Sequence, residues 1–187
     1  FGVPWGPQGI YAKKEINTID DMKGLKWRAY NVGTARIGEM VGAQAVTVQA
    51  AELPQALATG VVNAFMSSGA TGYDSKVWET LTHFYDTRAW IPKNVTFVNK
   101  AAFDALDKPT QEAFMKAAAA AEVRGWKVWE TKTEWYHEEI AKKGMKVLKP
   151  SPALESGFKK IGEQLTADWL KKAGADGQAV VDAHKKM

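Results

Sequence analysis

The stretch that decides the fold is Gly-Leu-Lys-Trp-Arg-Ala-Tyr-Asn at residues 24–31. Apolar and polar side chains alternate along it, which predicts a short β-strand with one buried and one accessible face. The two faces consist of Leu25, Trp27 and Ala29, and of Lys26, Arg28 and Tyr30. Arg28 therefore lies near the carboxyl end of a predicted strand, where open α/β sheets bind ligands.

The segments that flank this strand predict a turn before it and a helix after it. Thr18 followed by Asp20 and Asp21 indicates a capped turn, and Thr34 is placed to cap the next helix. The Arg28 guanidinium and the free N–H groups of a helix start both favour an anion. A solvated strand arginine in a surface ion pair fits the same pattern, so position alone leaves both interpretations open.

Strands and helices alternate in the segments around this strand. Strands are predicted at 9–13, 45–49 and 61–66, with helices at 34–41 and 51–59 between them. Pro54 suits the first turn of the second helix, and Gly60 suits its end. Short connections in this order predict a parallel α/β sheet.

The second half of the chain is predicted to be mostly helical. Helices are expected at 73–82, 100–106, 108–143, 153–173 and 176–186, with strand material at 84–99 and 145–149. Pro92 cannot donate to a ladder, so its strand is expected at an edge or at a crossing between domains.

The composition and charge of the chain indicate which kinds of partner it can bind. The 187 residues carry a formal net charge of +4 and no cysteine. The charges are dispersed without a basic block, which favours anionic small molecules over nucleic acid. The absence of cysteine excludes disulfides and thiol chemistry. No apolar run is long enough for a membrane helix.

Motifs for catalysis or metal binding are missing. The histidines, His83, His137 and His184, have no metal-ligand spacing, and His137 is expected on a solvated helix face. The Ser67-Ser68-Gly69 segment lacks the nucleophile elbow of hydrolases, and no phosphate-binding loop is present. No cofactor and no metal are expected.

The remaining pattern is that of a small-molecule binding site. One fixed cation, Arg28, and several neutral polar residues follow predicted strands, and nearby aromatic residues could form apolar walls. Pockets for small acids combine such groups. The polar candidates are Asn31, Gln49, Ser67, Ser68 and Thr71, and the aromatic candidates are Trp5, Tyr30, Phe65 and Trp90.

Three longer motifs carry a resemblance to a known family. They are DMKGLKWR at 21–28, VQAAELPQALATGVVN at 48–63 and PKNVTFVNK at 92–100, followed by the long Ala-rich helix. In this order they cover nearly the whole chain, and together they are highly specific. The chain resembles the solute-binding proteins of tripartite ATP-independent periplasmic (TRAP) transporters, of the DctP type.

The resemblance implies a type II periplasmic-binding-protein fold of the α/β class, with two lobes and a long connecting helix. It implies a non-catalytic periplasmic receptor that delivers a small organic acid to the TRAP membrane permease subunits. By the resemblance, Arg28 pairs with the ligand carboxylate in two parallel hydrogen bonds, and Asn31 occupies a polar position just after it. Ser67 stands where many members carry an asparagine that contacts the ligand. Gln8 stands where sialic-acid receptors carry a second arginine. The resemblance therefore implies that Gln8 contacts the ligand, and its lack of charge argues against sialic acid.

The resemblance also implies a domain organisation. Residues 1–99 would form the ligand-binding lobe with a crossing strand at its end, 100–143 a short helix and the lobe-spanning helix, and 144–187 a C-terminal strand and helices. The N-terminal lobe of the family is expected to be absent, and the chain to be a fragment or processed product. The face left by that lobe would be exposed, so a homodimer or domain swap is expected.

Two rival functions stay open at this stage. One is an enzyme that handles carboxylates, such as a lyase or isomerase, and the other is a self-associating fragment that binds no ligand. For a receptor, a monocarboxylate with an apolar or keto group is favoured over a dicarboxylate, because only one fixed cation accompanies the aromatic residues.

Overall fold

The computed structural model describes residues 1–186, without the Glu130 side chain. These residues form eight strands and six α-helices; strands and helices alternate through the first hundred residues, and two long helices with one strand between them follow. The strands are β1 (Gly2–Pro4), β2 (Gly9–Ala12), β3 (Lys26–Ala29), β4 (Gln44–Thr47), β5 (Ala64–Ser67), β6 (His83–Tyr85), β7 (Lys93–Val95) and β8 (Lys146–Leu148). The helices are α1 (Val32–Met40), α2 (Leu53–Ala58), α3 (Gly69–Asp74), α4 (Lys100–Asp104), α5 (Lys108–Lys142) and α6 (Pro152–Lys185).

Six strands form one mixed sheet in the order β4-β3-β5-β2-β6-β8. Strand β3 is parallel to both β4 and β5, whereas β2 is antiparallel to β5 and β6. The prediction of a parallel sheet is therefore wrong for β2. It is correct for β3, β4 and β5, whose carboxyl ends share one edge of the sheet, as expected. Strands β1 and β7 form a separate antiparallel ribbon.

Hydrophobic clusters cover both faces of the sheet. Alternation along β2 explains this, because Ile10 belongs to one cluster and Tyr11 to the other. Trp27 of β3 packs against α1, where a Cβ at Gly38 would lie 2.6 Å from Trp27 Cδ1. The Trp27 indole donates to the carbonyl oxygen of Thr34 at 2.9 Å. Helix α1 is thus held on the sheet directly after the strand that precedes it.

Two helix starts differ from the sequence prediction. Helix α1 is capped by Asn31, whose Oδ1 accepts from the Thr34 backbone N–H at 2.8 Å, so the prediction of Thr34 as cap is wrong. The helix predicted at 73–82 is also wrong. Helix α3 begins at Gly69 and ends at Asp74, and a 3-10 turn, Val77–Glu79, follows Lys76, whose φ of 47° lies in the left-handed region.

The C-terminal segments join the same body. Strand β8 pairs with β6, and Leu154 and Ile161 of α6 belong to one of the two hydrophobic clusters. Helix α5 packs closely on the ribbon, since a Cβ at Gly125 would overlap Val3 Cγ1. Helix α6 is interrupted at Gly174 (φ 62°, ψ −146°), which agrees with the two helices predicted there.

His137 of α5 is buried, which corrects its predicted place on a solvated face. Its side chain packs against Phe84, with 5.0 Å between ring centroids, and against Gly69. Burial lowers the pKa of His137, and the charges of Asp86 and Glu134 oppose that shift. Arg88 contacts both carboxylates and so links the end of β6 to α5.

The turn before β3 is organised by Asp21, which yields a prediction. Its carboxylate accepts from the backbone N–H groups of Asn17 (2.9 Å) and Thr18 (2.8 Å), and these bonds lower the pKa of Asp21 below its ordinary value of 3.8. The associated stability is present above that value and is lost as pH falls through the lower pKa of the folded protein. Asp21→Asn should therefore lower the thermal midpoint at neutral pH, and the difference from wild type should vanish in acid.

Asp20→Asn is the matched control, because Asp20 forms only an exposed ion pair with Lys23 and such pairs contribute little. Thermal melts of the three proteins at about pH 7 and about pH 2 make the comparison. An Asp21→Asn deficit that persists unchanged in acid would contradict the assignment.

Candidate functional site

Arg28 is a buried cation that forms no ion pair with the residues the structure describes. It lies in β3 between β4 and β5, beside Val46 and Phe65, and the residue is only 3% exposed. This corrects the prediction of an accessible strand face. Its Nε donates to the carbonyl oxygen of Val48 at 2.9 Å. Among the residues that the structure describes, no carboxylate forms an ion pair with Arg28, and its two terminal nitrogens donate to none of them. The surface ion-pair interpretation is therefore wrong.

The electrostatics of Arg28 follow from this placement. Burial lowers the pKa of its guanidinium, and Tyr30 opposes part of that shift. The guanidinium carbon lies 5.1 Å from the centroid of the Tyr30 ring, in cation–π contact. A buried charge is costly unless it is paired. The free fork of Arg28 is thus suited to a bidentate bond with a carboxylate.

Gln8 and Tyr30 form a hydrogen-bonded pair beside Arg28. The Tyr30 hydroxyl donates to Gln8 Oε1 at 2.9 Å, and Gln8 Nε2 donates to the Gly6 carbonyl oxygen at 2.9 Å. The backbone N–H of Gln8 donates to the carbonyl oxygen of Trp90 at 3.0 Å. Burial raises the pKa of Tyr30, while interactions with Trp90 and Arg28 lower it. Four predicted site residues therefore meet here.

A second group surrounds the start of α3. The Trp5 indole donates to Ser68 Oγ at 2.9 Å, and Ser67 Oγ donates to Thr71 Oγ1 at 2.8 Å. Ser68 Oγ also accepts from the backbone N–H of Thr71, which caps α3. Gly6 joins the two groups, because a Cβ there would lie 3.0 Å from Ser68 Cβ. The hydroxyls of Ser67 and Ser68 are thus already engaged within the protein.

The other predicted site residues have structural roles or are exposed at the edge of this region. Asn31 is exposed and uses its side chain to cap α1. Phe65 is fully buried and stacks on Tyr11 with 4.6 Å between ring centroids, so its prediction as a pocket wall is wrong. Gln49 is exposed at the start of a 3-10 turn. The sequence reasoning missed Gly6 and Val48, which act through backbone carbonyls that no side-chain pattern marks.

Two cavities lie near these groups. One of about 250 Å³ lies between β1, the start of α3 and α5, and Trp5 and Gly6 are among its lining residues. Another of about 430 Å³ lies beneath α6 and is lined in part by Met66 and Trp90. Arg28 lines neither cavity. Within residues 1–186, no group of three His, Asp or Glu side chains is placed to hold a metal ion, and no helix is long and apolar enough to cross a membrane.

The mixed sheet carries a buried arginine at the edge where β3, β4 and β5 end, the position expected from the sequence for a lobe of the periplasmic-binding-protein class. The sequence profile of the bacterial extracellular solute-binding proteins of family 7, DctP, matches residues 6–172. The chain belongs to this family, which confirms the resemblance and the prediction of a binding protein instead of an enzyme.

Solved structures of extracytoplasmic receptors match the chain over its whole length. DctP6 of Bordetella pertussis, which binds pyroglutamic acid, is 57% identical with a TM-score of 0.95, and a marine metagenome TRAP protein specific for pyroglutamate is 45% identical with a TM-score of 0.95. DctP7 of Bordetella pertussis, which binds pyroglutamic acid, is 42% identical with a TM-score of 0.94. The match covers 100%, 100% and 99% of this chain, but only 62% of each receptor.

The bonds at Ser68 predict a stability effect. Ser68→Ala removes the cap of α3 and the acceptor for the Trp5 indole, and loss of such a cap costs about 1 kcal/mol. We expect a decrease of about that size in the free energy of unfolding, measured by urea denaturation. Ser75→Ala, at the other end of α3, is the control, because the Ser75 hydroxyl makes no hydrogen bond within the described part of the chain. Equal stability of the two variants would contradict this role.

Proposed function

We propose that this chain forms the carboxylate-binding part of a periplasmic receptor for pyroglutamate that delivers its ligand to TRAP membrane subunits. The observation that carries the proposal is the buried Arg28 guanidinium with two unused terminal nitrogens. Support for the ligand comes from the three receptors at 42–57% identity that bind pyroglutamate.

The chemical groups of pyroglutamate match the side chains around Arg28. It has one carboxylate, which matches one buried arginine, and a compact lactam ring with one N–H donor and one carbonyl acceptor. Arg28 is the only buried Lys or Arg among the described residues. Neutral groups surround it, so a second carboxylate would be desolvated without a cationic partner. A monocarboxylate is therefore favoured over a dicarboxylate.

In this proposal each candidate residue has a place. Arg28 binds the carboxylate, and Tyr30 and Trp90 lie beside the ring. Gln8 holds the Tyr30 hydroxyl. The remaining candidates support the site by fixing the neighbouring helix starts, Asn31 at α1 and Trp5, Ser67, Ser68 and Thr71 at α3. Residues 1–99 then carry the ligand site, 100–143 the helix that connects the lobes, and 144–187 the segment that closes the sheet through β8.

The first test concerns ligand chemistry. Titration calorimetry on the complete gene product should give clear binding of pyroglutamate and at least about hundred-fold weaker binding of 2-pyrrolidinone, which lacks the carboxylate, because a bond to a charged group is lost and Arg28 is left unpaired. Succinate should also bind much more weakly. Tight succinate binding without pyroglutamate binding would contradict the proposal.

The second test concerns Arg28. Lysine lacks the planar fork, and truncation of one partner of a buried charge pair costs on the order of 2–5 kcal/mol, which is roughly thirty-fold to several thousand-fold in affinity. Arg28→Lys should weaken pyroglutamate binding at least about tenfold, and Arg28→Ala should weaken it more. The ligand-free melting temperature should change little, because no ion pair is broken.

Arg36→Lys is the matched control, since Arg36 is exposed and paired with Glu39 at 3.0 Å. It should change neither affinity nor melting temperature. Wild-type affinity in Arg28→Lys would show that Arg28 does not bind the carboxylate.

A third proposal concerns assembly. Large apolar side chains are exposed along the ribbon and α5, such as Phe97 (89%), Val123 (71%) and Val95 (61%). Exposed apolar surface of this kind drives association. We expect the 187-residue chain, expressed alone, to form a homodimer or domain-swapped dimer. Light scattering that shows a monomer at high concentration would contradict this expectation.

A further inference from the structure

We propose that Gln8 fixes the Tyr30 hydroxyl as a hydrogen-bond acceptor toward the ligand, so that Tyr30 selects ligands with an N–H group next to their carboxylate. This inference rests on the proposed function and deepens it, because it assigns the discrimination between ligands to two side chains. It differs from the sequence prediction, in which Gln8 was itself a ligand contact.

First, the hydrogen bonds of the Gln8 side-chain amide fix which of its ends faces Tyr30. The Gly6 carbonyl can only accept, so the end of the Gln8 amide that lies 2.9 Å from it must be the NH₂ group. The other end is then the amide oxygen, which can only accept from the Tyr30 hydroxyl at 2.9 Å. The single hydroxyl hydrogen of Tyr30 is thus committed to Gln8. Toward any other group Tyr30 presents lone pairs only, and a hydrogen bond from the Trp90 side chain, which lowers the Tyr30 pKa, leaves one of them for a ligand.

The second step is that this orientation is rigid. Gln8 is 1% exposed, so solvent has little access to its amide. Its carbonyl oxygen accepts from the Ala89 N–H and the Thr87 hydroxyl, both at 3.0 Å. The residue is fixed at the backbone and at both ends of its side chain.

The third step is the position of Tyr30. It is half-buried, and its ring lies 5.1 Å from the guanidinium carbon of Arg28. It is therefore a polar side chain in direct contact with the guanidinium that is proposed to bind the carboxylate. In pyroglutamate the ring nitrogen is bonded to the carbon that bears the carboxylate, so the N–H reaches the neighbourhood of Arg28 with it. Because the Tyr30 hydroxyl can only accept a hydrogen bond from the ligand, it favours the ligand N–H. A ring oxygen or keto oxygen in the same place would be disfavoured.

The test compares pyroglutamate with its lactone analogue, 5-oxotetrahydrofuran-2-carboxylate, in which an oxygen replaces the N–H. Wild-type complete gene product should prefer pyroglutamate by about tenfold or more, the usual effect of one satisfied against one unsatisfied bond. Tyr30→Phe keeps the ring on Arg28 but removes the hydroxyl, and its preference should fall to within about threefold.

Gln8 variants separate orientation from packing. Gln8→Met removes the acceptor, which leaves the hydroxyl free to turn and donate, so the preference should fall as in Tyr30→Phe. Gln8→Glu retains an acceptor for the hydroxyl, so the preference should persist even if the added charge weakens both ligands. Tyr85→Phe is the control, because the buried Tyr85 hydroxyl accepts from the Ile16 N–H at 2.7 Å; it should affect stability but leave the preference unchanged.

The outcomes distinguish the two proposals. A wild-type protein that binds no pyroglutamate would overturn both. Normal pyroglutamate binding that depends on Arg28, together with a full preference in Tyr30→Phe and Gln8→Met, would overturn this inference alone. The ratio of two affinities is not changed by a general loss of stability, so a purely structural role of Gln8 or Tyr30 would leave it constant.

Discussion

The buried Arg28 guanidinium, which has no carboxylate partner in the described part of the chain, sets the main physical constraint on this structure. Arg28 is held by one backbone carbonyl and one aromatic face, and its terminal nitrogens donate to no other described residue. An unpaired buried charge opposes folding. Packing of the surrounding sheet must therefore offset the unfavourable burial of Arg28. The neighbouring Trp27, which is completely buried, contributes to this packing.

The mixed sheet explains how the neighbours of Arg28 are placed. Parallel pairing of β3 with β4 brings the end of β4 alongside, so the Val48 carbonyl reaches the Arg28 Nε. Antiparallel entry of β2 beside β5 brings the segment before β2, with Gly6 and Gln8, to the same edge. The site is thus assembled from strands that run in opposite directions but end or begin at one place.

The sequence predicted which strands and helices carry the site residues more accurately than it predicted strand direction and the burial of Arg28. Alternation identified β3 and the glycine after α2 marked its end, because these signals lie within a few residues. Strand direction does not alter periodicity, so β2 could not be recognised as antiparallel. The Gly-Ala-Thr-Gly segment of α3 has weak helix propensity, and it forms because Ser68 caps it and α5 packs against it. Arg28 is buried because tertiary packing covers both faces of its strand.

The central claim is that the Arg28 fork binds the ligand carboxylate. A crystal structure of the complete gene product with pyroglutamate tests it most directly. We expect two parallel hydrogen bonds of about 2.7–2.9 Å between the Arg28 terminal nitrogens and the two carboxylate oxygens. A carboxylate bound elsewhere, with the Arg28 terminal nitrogens facing water, would contradict it.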